Sequence, residues 1–459
     1  MGAASQPRAA DVRACWPLER PNTASAADSL RFFVRVVLPT LAKGVLLRRR
    51  WGMSLAARLD LDAKAVRLMQ RLRRTYGGQP LLLRNPIRPQ AVLLSYGDVA
   101  FVLSGAPEPF SPASKEKRAA LAHFEPHASL VTLGKARQNR RAFHDDVLES
   151  ANPVHSMGRD FAAVVRDEAA WLLSNLQDGS DLTWEDFSQA WFKAVRTLVL
   201  GPGARDDHAL TDMLSRLRAN ANWVFARRPR RALIERYHDC LQRHIARAES
   251  GSLAALMARR PAVPGEARSH QVTQWLFAFD AGGIATFRAL ALLISSPEAA
   301  AADLERYRAG EIDLPFLRAC FLEAVRLWPT TPFILRETTQ PVQWGSATLP
   351  AGTGIAIYAP FFHRDTERLA DCESFRPERW IGRDPETVPP FVPFSAGPAV
   401  CPGRHVETLV ASLWLAALLD SGALELRRPA PFEWRGPMPA TLDHFSICFS
   451  SRWVRSRAS

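Results

Sequence analysis

Phe394-Ser-Ala-Gly397-Pro-Ala-Val-Cys401-Pro-Gly403 presents one cysteine between glycines, on a bend that runs straight into an apolar helical stretch from His405 to Leu419. Glycine permits backbone angles and close approaches that a side chain would forbid. A helix beginning just after Cys401 sets its positive end near the sulfur, which favours the thiolate. The arrangement suits a buried, anionic metal ligand. A lone cysteine in a Gly/Pro turn is equally well read as a buried, inert one, so the reading turns on what else the chain carries.

Two further motifs precede it in order. Glu323-Ala-Val-Arg326 lies in a helical pattern of Leu317, Phe321, Leu322, Val325 and Leu327, and a three-residue step puts both charges on one face. Phe375-Arg376-Pro377-Glu378-Arg379-Trp380 then adds another arginine and a rigid proline turn. Together the three segments resemble the cytochrome P-450 family, the haem-thiolate monooxygenases, in soluble bacterial-type form. The family's cysteine segment reads F-x-x-G-x-[HR]-x-C-x-G; Phe394, Gly397, Cys401 and Gly403 match it, and Ala399 stands where the basic residue belongs. The resemblance implies a mainly α fold with small β-sheets, haem b as cofactor and Cys401 as the iron ligand. It also implies a buried charge network of Glu323, Arg326 and Arg379.

The run Gln271 to Ile294 is the longest apolar stretch, but Asp280, Arg288 and the Gly282-Gly283 pair make it a helix through a large core rather than a membrane span. Adjacent glycines weaken a helix, so something must approach the backbone there. By resemblance this is the helix carrying [AG]-G-x-[DE]-T, reading Gly282-Gly283-Ile284-Ala285-Thr286. Thr286 and the glycines fall on the oxygen side of the haem, and the acid has become Ala285. Asp280 lies on a different helical face. The segment Gly134 to Phe143 resembles the helix whose arginine, here Arg141, reaches a haem propionate, with Arg137 in place of an aromatic or His. Pro332 to Arg336 resembles the strand whose arginine pairs with the other propionate. Phe110, Leu121, Phe124, His127 and Leu130 are candidates for the substrate pocket, with Phe279 and Phe333.

The 459 residues carry 47% hydrophobic and 23% charged side chains and a net charge of +13. These are globular values. The arginines are scattered and no nucleic-acid motif appears, so the charge reads as solvated faces or as a dock for an acidic electron donor. Six well-spaced cysteines, Cys15, Cys240, Cys320, Cys372, Cys401 and Cys448, fit a reducing compartment. Residues 1–29 read as a polar tail without a signal-peptide order, and 30–459 as one haem-binding domain. Leu30 to Leu47 is interrupted by Arg31, Arg35, Pro39 and Lys43 and reads as an opening helix or interfacial anchor. The expectation is a cytoplasmic oxidoreductase, at most peripheral to membranes. It would insert oxygen from O2 into an apolar small molecule with electrons from a ferredoxin or flavodoxin. A peroxide-using or rearranging relative and a non-catalytic haem protein are the alternatives.

Overall fold

The computed structural model describes residues 21–177, 179–345, 347–383 and 391–451. Its axis is the helix Arg268–Ile294, whose residues from Gly282 to Leu293 are all buried. A helix that is apolar all round has no solvent face and must run through a core. By length and composition it could cross a membrane, yet 72% of its most apolar window is buried inside the protein. The helices Gly158–Ser174, Trp184–Leu200, Pro315–Leu327 and Arg404–Asp420 pack on it or on one another. Trp184–Leu200 starts at a capping box, in which the Thr183 and Asp186 side chains satisfy each other's backbone N–H groups.

The strands are β1 Asn22–Thr23, β2 Leu81–Leu83, β3 Gln90–Val92, β4 Phe110–Ser111, β5 Asp181–Thr183, β6 Phe333–Thr338, β7 Val342–Trp344, β8 Ala347–Leu349, β9 Gly354–Tyr358, β10 Leu424–Arg428 and β11 Cys448–Ser451. Six of them form one sheet in the order β1-β2-β3-β9-β6-β4. Along β6 the buried residues are Ile334, Arg336 and Thr338. Because strand side chains alternate between faces, the register that buries Ile334 also sends Arg336 inward. This mainly α fold with small sheets is the architecture the sequence implied.

The structure refines the sequence reading. Of the presumed polar tail, residues 1–20, including Cys15, lie outside the described residues, but Asn22 and Thr23 already pair with Leu81 and Leu82 in the main sheet. β8 turns back on β7, whereas β9 joins β3 and β6. The pocket candidate Phe110 is part of the main sheet. It pairs with Thr338 and sits edge-on to Phe101 and Trp344 at 5.3 and 6.0 Å, fully buried in the sheet's own core.

Candidate cofactor site around Cys401

The cysteine loop is held from all sides. Gly397 has φ +69° and a side chain there would meet the Leu103 carbonyl oxygen at 2.4 Å, so glycine is required both by its backbone and by its neighbour. Gly403 has no such crowding; its nearest contact would be an ordinary 3.7 Å to Leu148. The Cys401 N–H donates to the Phe394 carbonyl at 3.0 Å, and Phe394 stacks on Phe321 of the Glu323 helix at 6.5 Å. Arg141 donates to the Val400 carbonyl at 2.6 Å while its Nε donates to both oxygens of Asp145. Ser150 donates to the Pro402 carbonyl at 2.9 Å. Burial pushes the Cys401 thiol up from its ordinary value; the Gly403 N–H opposes this, Glu407 adds to it, and Arg141 and Arg404 oppose it. The helix end alone therefore does not make the anion, as the sequence had implied; a cation at the sulfur would have to complete the balance.

Beside this loop lies a group of buried cations. Arg336 donates to the Ser395 hydroxyl at 2.9 Å, and its Nε has no partner, nor has that of Arg137. Burial draws the Lys117 ammonium down to about 7, with Arg336 and Arg137 adding to the effect. Burial and then Arg137 lower Arg336 to about 10. Crowded like charges with unused donors are costly unless an anion completes them. The set fits the acidic edge of a haem, and the thiol fits its iron. Of these cations the sequence had marked Arg141 and Arg336 for propionates. Lys117 it missed, because a lysine at a helix start reads as solvated until the fold buries it.

On the central helix, Thr286 is fully buried and its hydroxyl donates to the Gly282 carbonyl at 2.8 Å. What approaches the glycine pair is protein. A side chain at Gly283 would meet the Trp191 indole at 2.9 Å, and one at Gly282 would fall 1.2 Å from Oε1 of Glu407. Burial holds the Glu407 carboxyl well above its ordinary value, and Oε1 has no hydrogen-bond partner. Glu407 was not legible as a site residue, because one acid in an apolar helix of unknown rotation has no assigned face. Asp280 is taken by Arg218, which donates to it.

The Glu323 network is complete. Glu323 Oε1 accepts from Arg326 Nη2 at 2.7 Å, Arg379 Nε at 3.1 Å and the Arg376 N–H at 2.9 Å. Oε2 accepts from Arg326 Nε at 2.8 Å and the Trp380 indole at 2.7 Å. Arg326 spends its remaining donors on the carbonyls of His363, Cys372 and Ser374. Of the pocket candidates, Leu121 and Phe124 are buried, with Phe124 edge-on to Phe277 at 5.5 Å. Phe279 lends its carbonyl to the Trp191 indole, and Phe333 packs on Tyr358 at 5.0 Å. His127 stands edge-on to His270 at 4.8 Å.

Residues 311–430, which hold all three motifs, match the cytochrome P-450 family model. Over 121 residues the chain is 32% identical to the mitochondrial 1,25-dihydroxyvitamin D(3) 24-hydroxylase of Mus musculus, covering 26% of this chain and 23% of that protein. Over 173 residues it is 31% identical to drimenol monooxygenase of Persicaria hydropiper, covering 34% and 32%. The matched stretches thus span under a third of these curated relatives, which are eukaryotic rather than bacterial. In fold, the chain superposes on a cytochrome P-450 from Thermus thermophilus with a TM-score of 0.62 at 19% identity, over 86% of this chain and 96% of that one. A zebrafish cytochrome P-450 solved with abiraterone gives 0.65 at 17% identity, over 84% and 98%. The ordered motifs, the matching segment and the shared architecture agree: residues 311–430 match the cytochrome P-450 family, and the chain has the fold of solved cytochrome P-450s.

Proposed function

We propose that this protein is a haem-thiolate monooxygenase acting on a small, largely apolar molecule. The observation that carries the reading is the pair Arg137 and Arg336, buried with unused Nε donors and crowded by Lys117 beside the cysteine loop. Cys401 would hold the iron of haem b, and Arg336, Arg137, Lys117 and Arg141 its propionates. Bound there, the haem supplies the oxidising chemistry, a thiolate ligand favouring O–O cleavage over reversible oxygen storage. The chain's own part is to hold the sulfur, exclude water and manage protons. Thr286 keeps a hydroxyl on the central helix with its proton directed at the Gly282 carbonyl. One turn earlier, the Glu407 carboxyl holds a proton that burial keeps on it. Residue 285, an alanine, can hold none, and that favours a peroxide-using member as the second reading.

Electrons from a separate ferredoxin- or flavodoxin-type protein, and a cytoplasmic setting with peripheral membrane contact, belong to the same proposal. Supporting the contact, Leu30, Phe33, Val34, Leu38 and Trp51 are exposed, and neighbouring Arg49 lies over the exposed Trp223 ring at 5.0 Å. Apolar side chains flanked by arginines suit the surface of an anionic membrane.

The deciding experiment is the spectrum of reduced protein under carbon monoxide. It should show the strongly red-shifted Soret band of thiolate ligation, and Cys401→Ser should abolish that band. A band that survives the substitution would assign the iron to another residue and end this reading.

A further inference from the structure

Behind the central helix lies a cavity of about 40 Å³, lined by Lys43, Arg48, Asp62, Arg288, Arg364 and Thr441 with apolar neighbours from 327 to 332. One water needs roughly 10–15 Å³ of such space, so there is room for a small ion. Arg288 follows Thr286 by two residues, which is about 200° around a helix. The cavity is therefore on the opposite face from the threonine and separate from the cysteine site.

Its lining carries four cations and one carboxylate. That carboxylate is fully engaged: Lys43 donates to Asp62 Oδ1, and Thr441 donates to Oδ2 at 2.6 Å. The other cations lean on carbonyl dipoles. Arg48 donates to the Gly44 and Thr330 carbonyls, and Arg364 to those of Leu327, Met438 and Pro439. Arg288 donates to the Trp328 carbonyl at 3.1 Å, but its Nε has no partner although the residue is 4% exposed. Burial, then Arg48, draws the Arg288 guanidinium down to about 9, as expected where cations crowd. Further acids do not close the balance. Asp443 faces both Arg288 and Arg50, and Asp280, within reach of Arg48, is paired with Arg218.

We propose that this cavity binds one small monoanion, a halide or a carboxylate, held between Arg288, Arg48 and Lys43. The charge excess, the small cavity and the unused Arg288 donor all call for the same occupant. A bound anion would tie three segments together: the opening helices through Lys43 and Arg48, the central helix through Arg288, and the stretch 327–332 that leads into the strand of Arg336.

The test uses full-length holoprotein in a zwitterionic buffer, titrated with sodium chloride, sodium acetate or sodium gluconate while the thermal unfolding midpoint is followed. Chloride or acetate should raise the midpoint with saturation, and gluconate, too bulky to enter, should not. Arg288→Met should raise the half-saturating concentration about tenfold, the scale of one charge-assisted bond. Equal effects of all three salts, or a variant that titrates like wild type, would overturn the site. Should Arg288→Met fail to fold, bromide-soaked wild-type crystals decide: anomalous scattering between Arg288 and Lys43 supports the proposal, and water alone there refutes it.

Discussion

Glu323 and Glu125 are both 0% exposed, and they are opposites in every other respect. Glu323 accepts five hydrogen bonds from two arginines, an indole and a backbone N–H. Glu125, in the segment after the helix Lys115–Leu121, has no partner on either oxygen. Arg218 is within electrostatic reach of Glu125, but its guanidinium is spent on Asp280 and the Leu46 carbonyl. A buried carboxylate is affordable when fully bonded and expensive otherwise. The first is architecture, coupling the helix Pro315–Leu327 to the segment 363–380. The second has nothing to bind, and burial pushes its carboxyl well above the ordinary value.

The largest expected effect breaks the paired member. Glu323→Ala leaves Arg326 and Arg379 buried without a counter-charge, a loss of about 3–5 kcal/mol. Little soluble, haem-loaded protein should be recovered, as measured by yield and by the urea midpoint of whatever folds. A variant with wild-type yield and midpoint would show that the bonds of Glu323 do not bear on stability.

A smaller effect tests the unpaired member through pH. Burial raises the Glu125 carboxyl well above its ordinary value, with Arg218 opposing. The native state therefore keeps a proton that the unfolded chain releases near its ordinary value of about 4.3. Stability from this group is fully present below that pH and is lost as pH rises toward the raised native value, by up to about 1.4 kcal/mol per unit. Between pH 4.5 and 7 the unfolding free energy of wild type should thus fall more steeply than that of Glu125→Gln. Parallel profiles would mean that Glu125 finds a partner in solution.

What was legible follows the same division. Glu323, Arg326 and Arg379 could be read because a three-residue helical step and a proline turn fix their geometry locally. Cys401 and Gly397 could be read because a glycine-framed bend constrains its own backbone. Glu125, Glu407 and Lys117 could not, since what distinguishes the two acids is the absence of a partner and the lysine its crowding by Arg336 and Arg137, and both depend on how distant segments pack. The strand at Phe110 was hidden for a related reason: an aromatic in an irregular stretch gives no sign that its two-residue strand pairs with Thr338. The glycine pair was correctly read as a point of close approach, but the approaching groups, Glu407 and Trp191, come from helices far away in sequence.

The smallest effect sharpens the comparison at Glu407, which is unpaired like Glu125 but packed against a glycine. Gly282→Ala places a methyl group where the Glu407 carboxyl now lies. The obstacle is the end of a flexible side chain, so Glu407 can turn aside, and the cost should be about 1 kcal/mol, at the low end for overpacking. Glu407→Ala removes the obstacle and an unbonded acid together, and should be close to neutral. In the double variant the new methyl enters vacated space, so the two changes should not add: a coupling of at least about 0.5 kcal/mol is expected from denaturant midpoints. Gly397→Ala is the control, because there the clash is with the Leu103 backbone at a left-handed φ, and no change at Glu407 should relieve it. If Gly282→Ala and Glu407→Ala proved additive, the carboxyl would not be resting on Gly282, and the close approach that demands glycine there would have to come from some other group.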